Sequence, residues 1–235
     1  MTPLRHLVFA LAATIAAAAS ARADLVTTFN GTIPSVDVRM QANGTTFTTN
    51  PVGPFLFTVQ PGSTDPTFAP NSQLRTFCAD LFQNISPPNT YTFTTGPISG
   101  LPDVGTDPTR LGLIQRLFDR HYETATDAAN GGAFQLALWE LLYDGPGSLN
   151  LASGNLIVTS PDTVPAVALA KTWLASLEMA DPSDVVKYQL VGLYSPTAQD
   201  QIAVHPEPIP APAGVVLGLV AMGGFAARRL RRKGA

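Results

Sequence analysis

This chain has a single cysteine, Cys78, in 235 residues, so no disulfide can form within it. Histidine is nearly absent as well. His6, His121 and His205 stand far apart and share no metal-ligand spacing with the cysteine. Calcium loops need acidic residues at regular short intervals, whereas Asp103, Asp107 and Asp127 are scattered. These absences argue against a metal centre, and no motif calls for a cofactor. A cysteine hydrolase requires a histidine base. His121, the one histidine within the folded body, precedes Tyr122-Glu123 at a predicted helix end, where histidine ordinarily serves as a favourable C-terminal charge. No catalytic residue is assigned, and the protein is not expected to be an enzyme. Solenoid-length repeats and low-complexity blocks are also missing.

The termini carry most of the positive charge. Arg5 precedes an apolar run, Leu7-Val8-Phe9-Ala10-Leu11, that continues through an alanine tract to Ala19, and Ala21-Arg22-Ala23 offers small residues to a signal peptidase. The run is short for a membrane span, so residues 1–23 are expected to be a cleaved secretory signal. At the other end, Pro206-Glu207-Pro208 precedes an apolar stretch, 211–227, and the basic cluster Arg228, Arg229, Arg231, Arg232 and Lys233. That stretch is just long enough to cross a bilayer as a helix, with the basic tail held on the cytoplasmic side. Between signal and tail cluster, seven basic side chains stand against seventeen acidic ones, a net charge of −10. Such a surface repels nucleic acid and anionic membrane, so neither is an expected partner of the body.

The body, 24–204, is one domain's worth of chain. From Leu25 to about Phe93 it is rich in Thr, Val and Phe, with β-favouring runs at 45–48 and 55–59. Asn30-Gly31 and Asn43-Gly44 signal tight turns. These two pairs and Asn84-Ile85-Ser86 also match glycosylation sequons, to which no functional weight is given. From about 107 to 180 the apolar period becomes helical. Asp107-Pro108 starts one helix, Gly131-Gly132 opens a second that stops at Asp144-Gly145-Pro146-Gly147, and a third spans about 163–179. After Asp181-Pro182 the run 185–194 is again strand-like. The order predicts an α+β fold: an antiparallel β-sandwich or barrel with an inserted helical subdomain.

Two residues in this body pose a chemical question. Phe134, Leu136, Ala137, Leu138, Trp139, Leu141, Leu142 and Tyr143 cover nearly every face of the second helix, which predicts complete burial. Gln135 lies among them, sharing a face with Leu138, Trp139 and Leu142. A buried carboxamide without partners costs about 1–3 kcal/mol, so something must satisfy or consume it. Cys78 ends a predicted strand, after Phe77. If that strand packs on the helix, the thiol and the carboxamide lie in contact, and attack of sulfur on the carboxamide carbon expels ammonia and leaves a thioester. Ring closure of this kind gains from effective concentration when the fold holds the groups in place. The plain alternatives are a buried cysteine acting as a small hydrophobe and a helix glutamine bonded to backbone.

Both sets of residues carry family resemblances. The order Pro-Glu-Pro, apolar stretch, basic cluster resembles the PEP-CTERM sorting signal, which implies processing by an exosortase-type enzyme and release or attachment at the surface. Phe77-Cys78-Ala79-Asp80 and Phe134-Gln135-Leu136-Ala137-Leu138-Trp139 resemble the paired signatures of bacterial surface thioester domains. That resemblance implies a β-sandwich or barrel with a helical insertion and a Cys78–Gln135 thioester. Phe77, Phe134, Leu138 and Trp139 are the expected pocket around it. Two positions depart from the pattern: Phe134 stands where threonine is common, and Asp80 where some members have a hydrophobic residue. The implied role is covalent attachment to an amine or hydroxyl on a surface protein or polysaccharide. The competing expectation is a non-reactive structural or polysaccharide-associated protein of the extracellular matrix. Either role places the protein at the cell surface or in the matrix, held by its C-terminal helix before processing.

Overall fold

The computed structural model describes residues 23–179, 181–182 and 184–206. The expected signal segment up to residue 22, Glu207, Pro208, the apolar stretch and the basic tail lie outside the described residues; Pro206 is the last residue described and is exposed. No helix among the described residues is long and apolar enough to cross a membrane.

Strands β1 (Asp24–Thr32), β2 (Val36–Ala42), β3 (Thr45–Val52), β4 (Phe55–Val59), β5 (Gln73–Cys78) and β6 (Thr90–Gly96) come first. Helices α1 (Pro108–His121) and α2 (Ala128–Tyr143), strand β7 (Leu156–Val158) and helix α3 (Pro165–Leu177) follow, then β8 (Leu190–Tyr194) and β9 (Gln201–Val204). Six strands close an antiparallel barrel in the order β1-β4-β5-β9-β8-β6, and β3-β2-β7 make a separate three-stranded sheet. The fold is thus a β barrel with helices, as the composition shifts predicted. The helices fall between barrel strands β6 and β8 in chain order.

Alternation along the strands sets the barrel interior. Leu25, Phe29, Phe57, Val59 and Phe93 are buried. Phe57 contacts Phe29 at 5.1 Å and meets Phe93 edge-on at 5.8 Å between ring centroids. Closure leaves these six strands without a free edge. Asp107 caps α1 by accepting from the Thr109 N–H at 2.9 Å, with Pro108 at the first helical position as expected.

Several details differ from the sequence expectation. Asn30-Gly31 is not a turn; it lies inside β1 at a bulge between Phe29 and Gly31, where Gly31 has φ +131°. Asn43 (φ 46°) and Gly44 (φ 79°) do form the expected turn between β2 and β3. Gly131-Gly132 does not open α2, which begins at Ala128 behind an Asp127 cap. The glycines serve close approach instead: a Cβ on Gly132 would meet Val36 Cγ1 at 2.6 Å and Ala166 Cβ at 3.0 Å. Residues 185–189 are not a strand either. The Lys187 and Tyr188 N–H groups donate to Asp119 Oδ1, at 2.8 and 3.2 Å, rather than to a neighbouring strand.

Candidate functional site

Aromatic packing brings the two halves of the site together. Phe77, on the outer face of β5, stacks on Phe134 of α2 at 4.0 Å between centroids, and Phe118 of α1 meets Phe77 edge-on at 5.8 Å. Arg75, also on the outer face of β5, lies over the Tyr122 ring at 4.0 Å and donates to the carbonyls of Tyr122 and Ala125. The end of α1 is thereby clipped to β5. Since Phe77 and Phe134 immediately precede Cys78 and Gln135, their stack sets those two residues side by side.

The contact itself is a paired hydrogen bond. Gln135 Oε1 accepts from the Cys78 N–H at 2.9 Å, and Gln135 Nε2 donates to the Cys78 carbonyl at 2.8 Å. Both residues are fully buried. The ladder explains why those backbone groups are available. The Ala79 N–H donates to Asp200 O on the β9 side, so Cys78, one residue earlier, turns its N–H and C=O toward β4. Strand β4 starts only at Phe55, opposite Thr76, and has no residue to pair with Cys78. The Gln135 carboxamide takes that place in the ladder. What satisfies the glutamine is therefore the backbone of Cys78, not the thiol.

The thiol is three bonds from the nitrogen that holds Gln135 Oε1. It donates to Asp80 O at 2.9 Å, while the Asp80 N–H points back at sulfur from 3.4 Å. Burial pushes its pKa up to about 12, and the Asp80 and Asp200 charges push the same way. The Asp80 backbone and the Trp139 indole oppose this rise. The indole Nε1 is nevertheless buried without a hydrogen-bond partner. Leu138, also buried, is one turn on from Gln135.

The turn after Cys78 is fixed from three sides. Asp80 Oδ1 accepts from the Phe82 N–H at 2.7 Å. Tyr143 OH accepts from the Leu81 N–H at 3.0 Å and donates to Asp103 Oδ2 at 3.1 Å. Asp200, whose backbone holds Ala79, accepts with its carboxylate from the Ser195 N–H at 2.7 Å. Burial raises the pKa of Asp103 and Asp200, and the Asp80 charge adds to both. Three carboxylates thus surround the segment carrying the thiol. Sequence reasoning did not find Asp103 and Asp200 as neighbours of Cys78, because chain separation hides them.

Two other polar residues stand apart from the thiol. Glu140, 0 % exposed, accepts from the Asn150 N–H, which ties the following loop to α2. Its pKa rises to about 8 through burial, with Asp144 adding to it, and Oε2 has no hydrogen-bond partner. His121 stacks on Trp173 at 4.0 Å, and burial, Arg120 and Lys187 lower its pKa to about 4. It is therefore neutral, which corrects the expectation of a helix-terminal charge. No hydrogen bond joins it to Cys78 among the described residues. No cluster of acidic, histidine or cysteine side chains suited to a metal occurs among them either. No family model matches the chain, and no curated protein or solved structure matches it at a significant level.

Proposed function

We propose that this protein is an exported surface or matrix protein whose Cys78 and Gln135 form an internal thioester for covalent attachment to an amine or hydroxyl on a target. The single observation carrying this reading is the fully buried pairing of the Gln135 carboxamide with the backbone of the only cysteine. It holds the carboxamide against the residue that bears the thiol, and the Cys78 N–H would polarise the carbonyl that sulfur attacks. In that step the Sγ–Cδ bond forms, the Cδ–Nε2 bond breaks, and the thiol proton leaves with ammonia. The apolar shell of Phe77, Phe134, Leu138 and Trp139 would keep water from the product. The carboxylates of Asp80, Asp103 and Asp200 favour a target bearing an amine, which arrives as a cation, over an anionic polysaccharide. A single covalent capture, not turnover, is the proposed activity. Export by a signal peptidase and sorting of the Pro206-Glu207-Pro208 tail by an exosortase-type enzyme belong to the same proposal.

The second reading, a non-reactive structural or polysaccharide-associated matrix protein, also has an observation in its favour. The two hydrogen bonds give both Oε1 and Nε2 of Gln135 a partner, and the thiol has its own acceptor in Asp80 O. Intact mass separates the two. The thioester makes the purified protein lighter by one ammonia, and methylamine adds its own mass with release of a titratable thiol. Gln135→Ala should show a free thiol from the start. A promptly measured full-sequence mass that methylamine leaves unchanged refutes the thioester.

A further inference from the structure

Trp139 belongs to the expected apolar pocket, yet its polar atom is left without a partner. The indole is 1 % exposed, and its Nε1–H is buried with no acceptor. A buried donor in that state is destabilising, and substitution by an apolar ring of similar shape would remove the penalty. Trp139 lies one helical turn after Gln135 and on the same face, so its indole falls on the side of α2 that meets Cys78. The Asp80 N–H sits 3.4 Å from the Cys78 sulfur. While the thiol is neutral, sulfur is a weak acceptor and donates its own proton to Asp80 O. Neither N–H is then well used.

Resting on the thioester reading, we infer that the Trp139 indole N–H and the Asp80 backbone N–H form a two-donor anion hole for the Cys78 sulfur. Sulfur carries negative charge at two moments. In bond formation it attacks Gln135 Cδ as its proton passes to departing ammonia. In target capture the amine nitrogen bonds to Cδ, the Cδ–Sγ bond breaks, and its electron pair returns to sulfur, which ends with the proton the amine loses. Fixed donors aimed at a developing anion lower such barriers because they need no reorganisation at the moment of reaction. The need is acute here, because a thiol whose pKa lies near 12 is a poor leaving group in an apolar shell.

The test replaces Trp139 with benzothienylalanine, which keeps the two-ring shape and substitutes sulfur for the N–H; Trp139→Phe serves as the genetically encoded companion. Wild type and variant are followed by intact mass for loss of ammonia and by the rate of methylamine addition, with thermal midpoint as the folding control. The expected result is an unchanged or raised midpoint, since the unpartnered donor is gone, with thioester formation, methylamine addition or both slowed by about ten- to a hundred-fold. Equal rates overturn the anion hole while leaving the thioester standing. A collapsed thermal midpoint overturns it too, because the N–H would then be a structural donor. Full-sequence mass in the wild type overturns the thioester itself, and the anion hole with it.

Discussion

Replacing Gln135 in a Cys78→Ala background isolates the ladder contact from any thioester chemistry. Alanine retains the backbone N–H and C=O that the carboxamide engages, and no crosslink can form. In that background Gln135→Leu fills similar volume but leaves both backbone groups buried and unpaired. At about 1–3 kcal/mol for each group, offset by about 1 kcal/mol from burying an apolar side chain, the expected loss is about 1–5 kcal/mol. A domain of this size shifts by about 2–4 °C per kcal/mol, so the thermal midpoint should fall by roughly 2–20 °C. Gln135→Glu adds a sign test. Protonated, the new carboxyl can donate to the Cys78 carbonyl and accept from its N–H as the amide does; ionised, it faces that carbonyl with charge. Burial raises such a carboxyl's folded pKa above its unfolded value. Stability should therefore match Gln135 in acid and fall as pH rises from the unfolded value through the folded one. Circular dichroism melts at pH 4.5 and pH 8 read both effects. A Gln135→Leu variant that melts with its parent, or a Gln135→Glu variant without pH dependence, refutes the role of the carboxamide as a strand substitute.

Glu140→Gln should stabilise the protein at neutral pH and above. The wild-type carboxyl titrates near 8 when folded, against an ordinary value of 4.5. Relative to the variant, wild-type stability should thus decline as pH rises from about 4.5 to 8, by on the order of 5 kcal/mol on linkage, and the two should converge near pH 4.5. Urea titrations across that range measure it, and parallel curves would contradict it. Gly132→Ala should destabilise by about 1–3 kcal/mol although alanine is the better helix former, because the new methyl meets Val36 and Ala166. A gain in thermal midpoint for that variant would mean that α2 and α3 can separate freely.

Much of the fold was legible because it rests on local pattern. Thr- and Phe-rich alternation marked the strand region, and Asp107-Pro108 marked the start of α1. Uniform apolarity marked α2 as a helix buried on all sides. The failures have one cause, a tertiary contact that overrode a local signal. Asn30-Gly31 resembles a turn but sits in a strand that must bulge, and Gly131-Gly132 resembles a helix start but makes room for a neighbouring helix. The valine-rich run at 185–189 is held by Asp119 of α1 instead of pairing in the sheet.

By itself, the sequence singled out Cys78 and Gln135, since one thiol and one carboxamide among apolar residues stand out by chemistry alone. It also set the acidity of the body, which is a matter of counting. That the two residues meet, and how, was decided only by the tertiary structure. The Phe77–Phe134 stack joins segments 57 residues apart, and β4 begins too late to pair with Cys78. Strand length and register are properties of the closed barrel, because they depend on which strands become neighbours. The open ladder position and the place of the amide that fills it both follow from that closure.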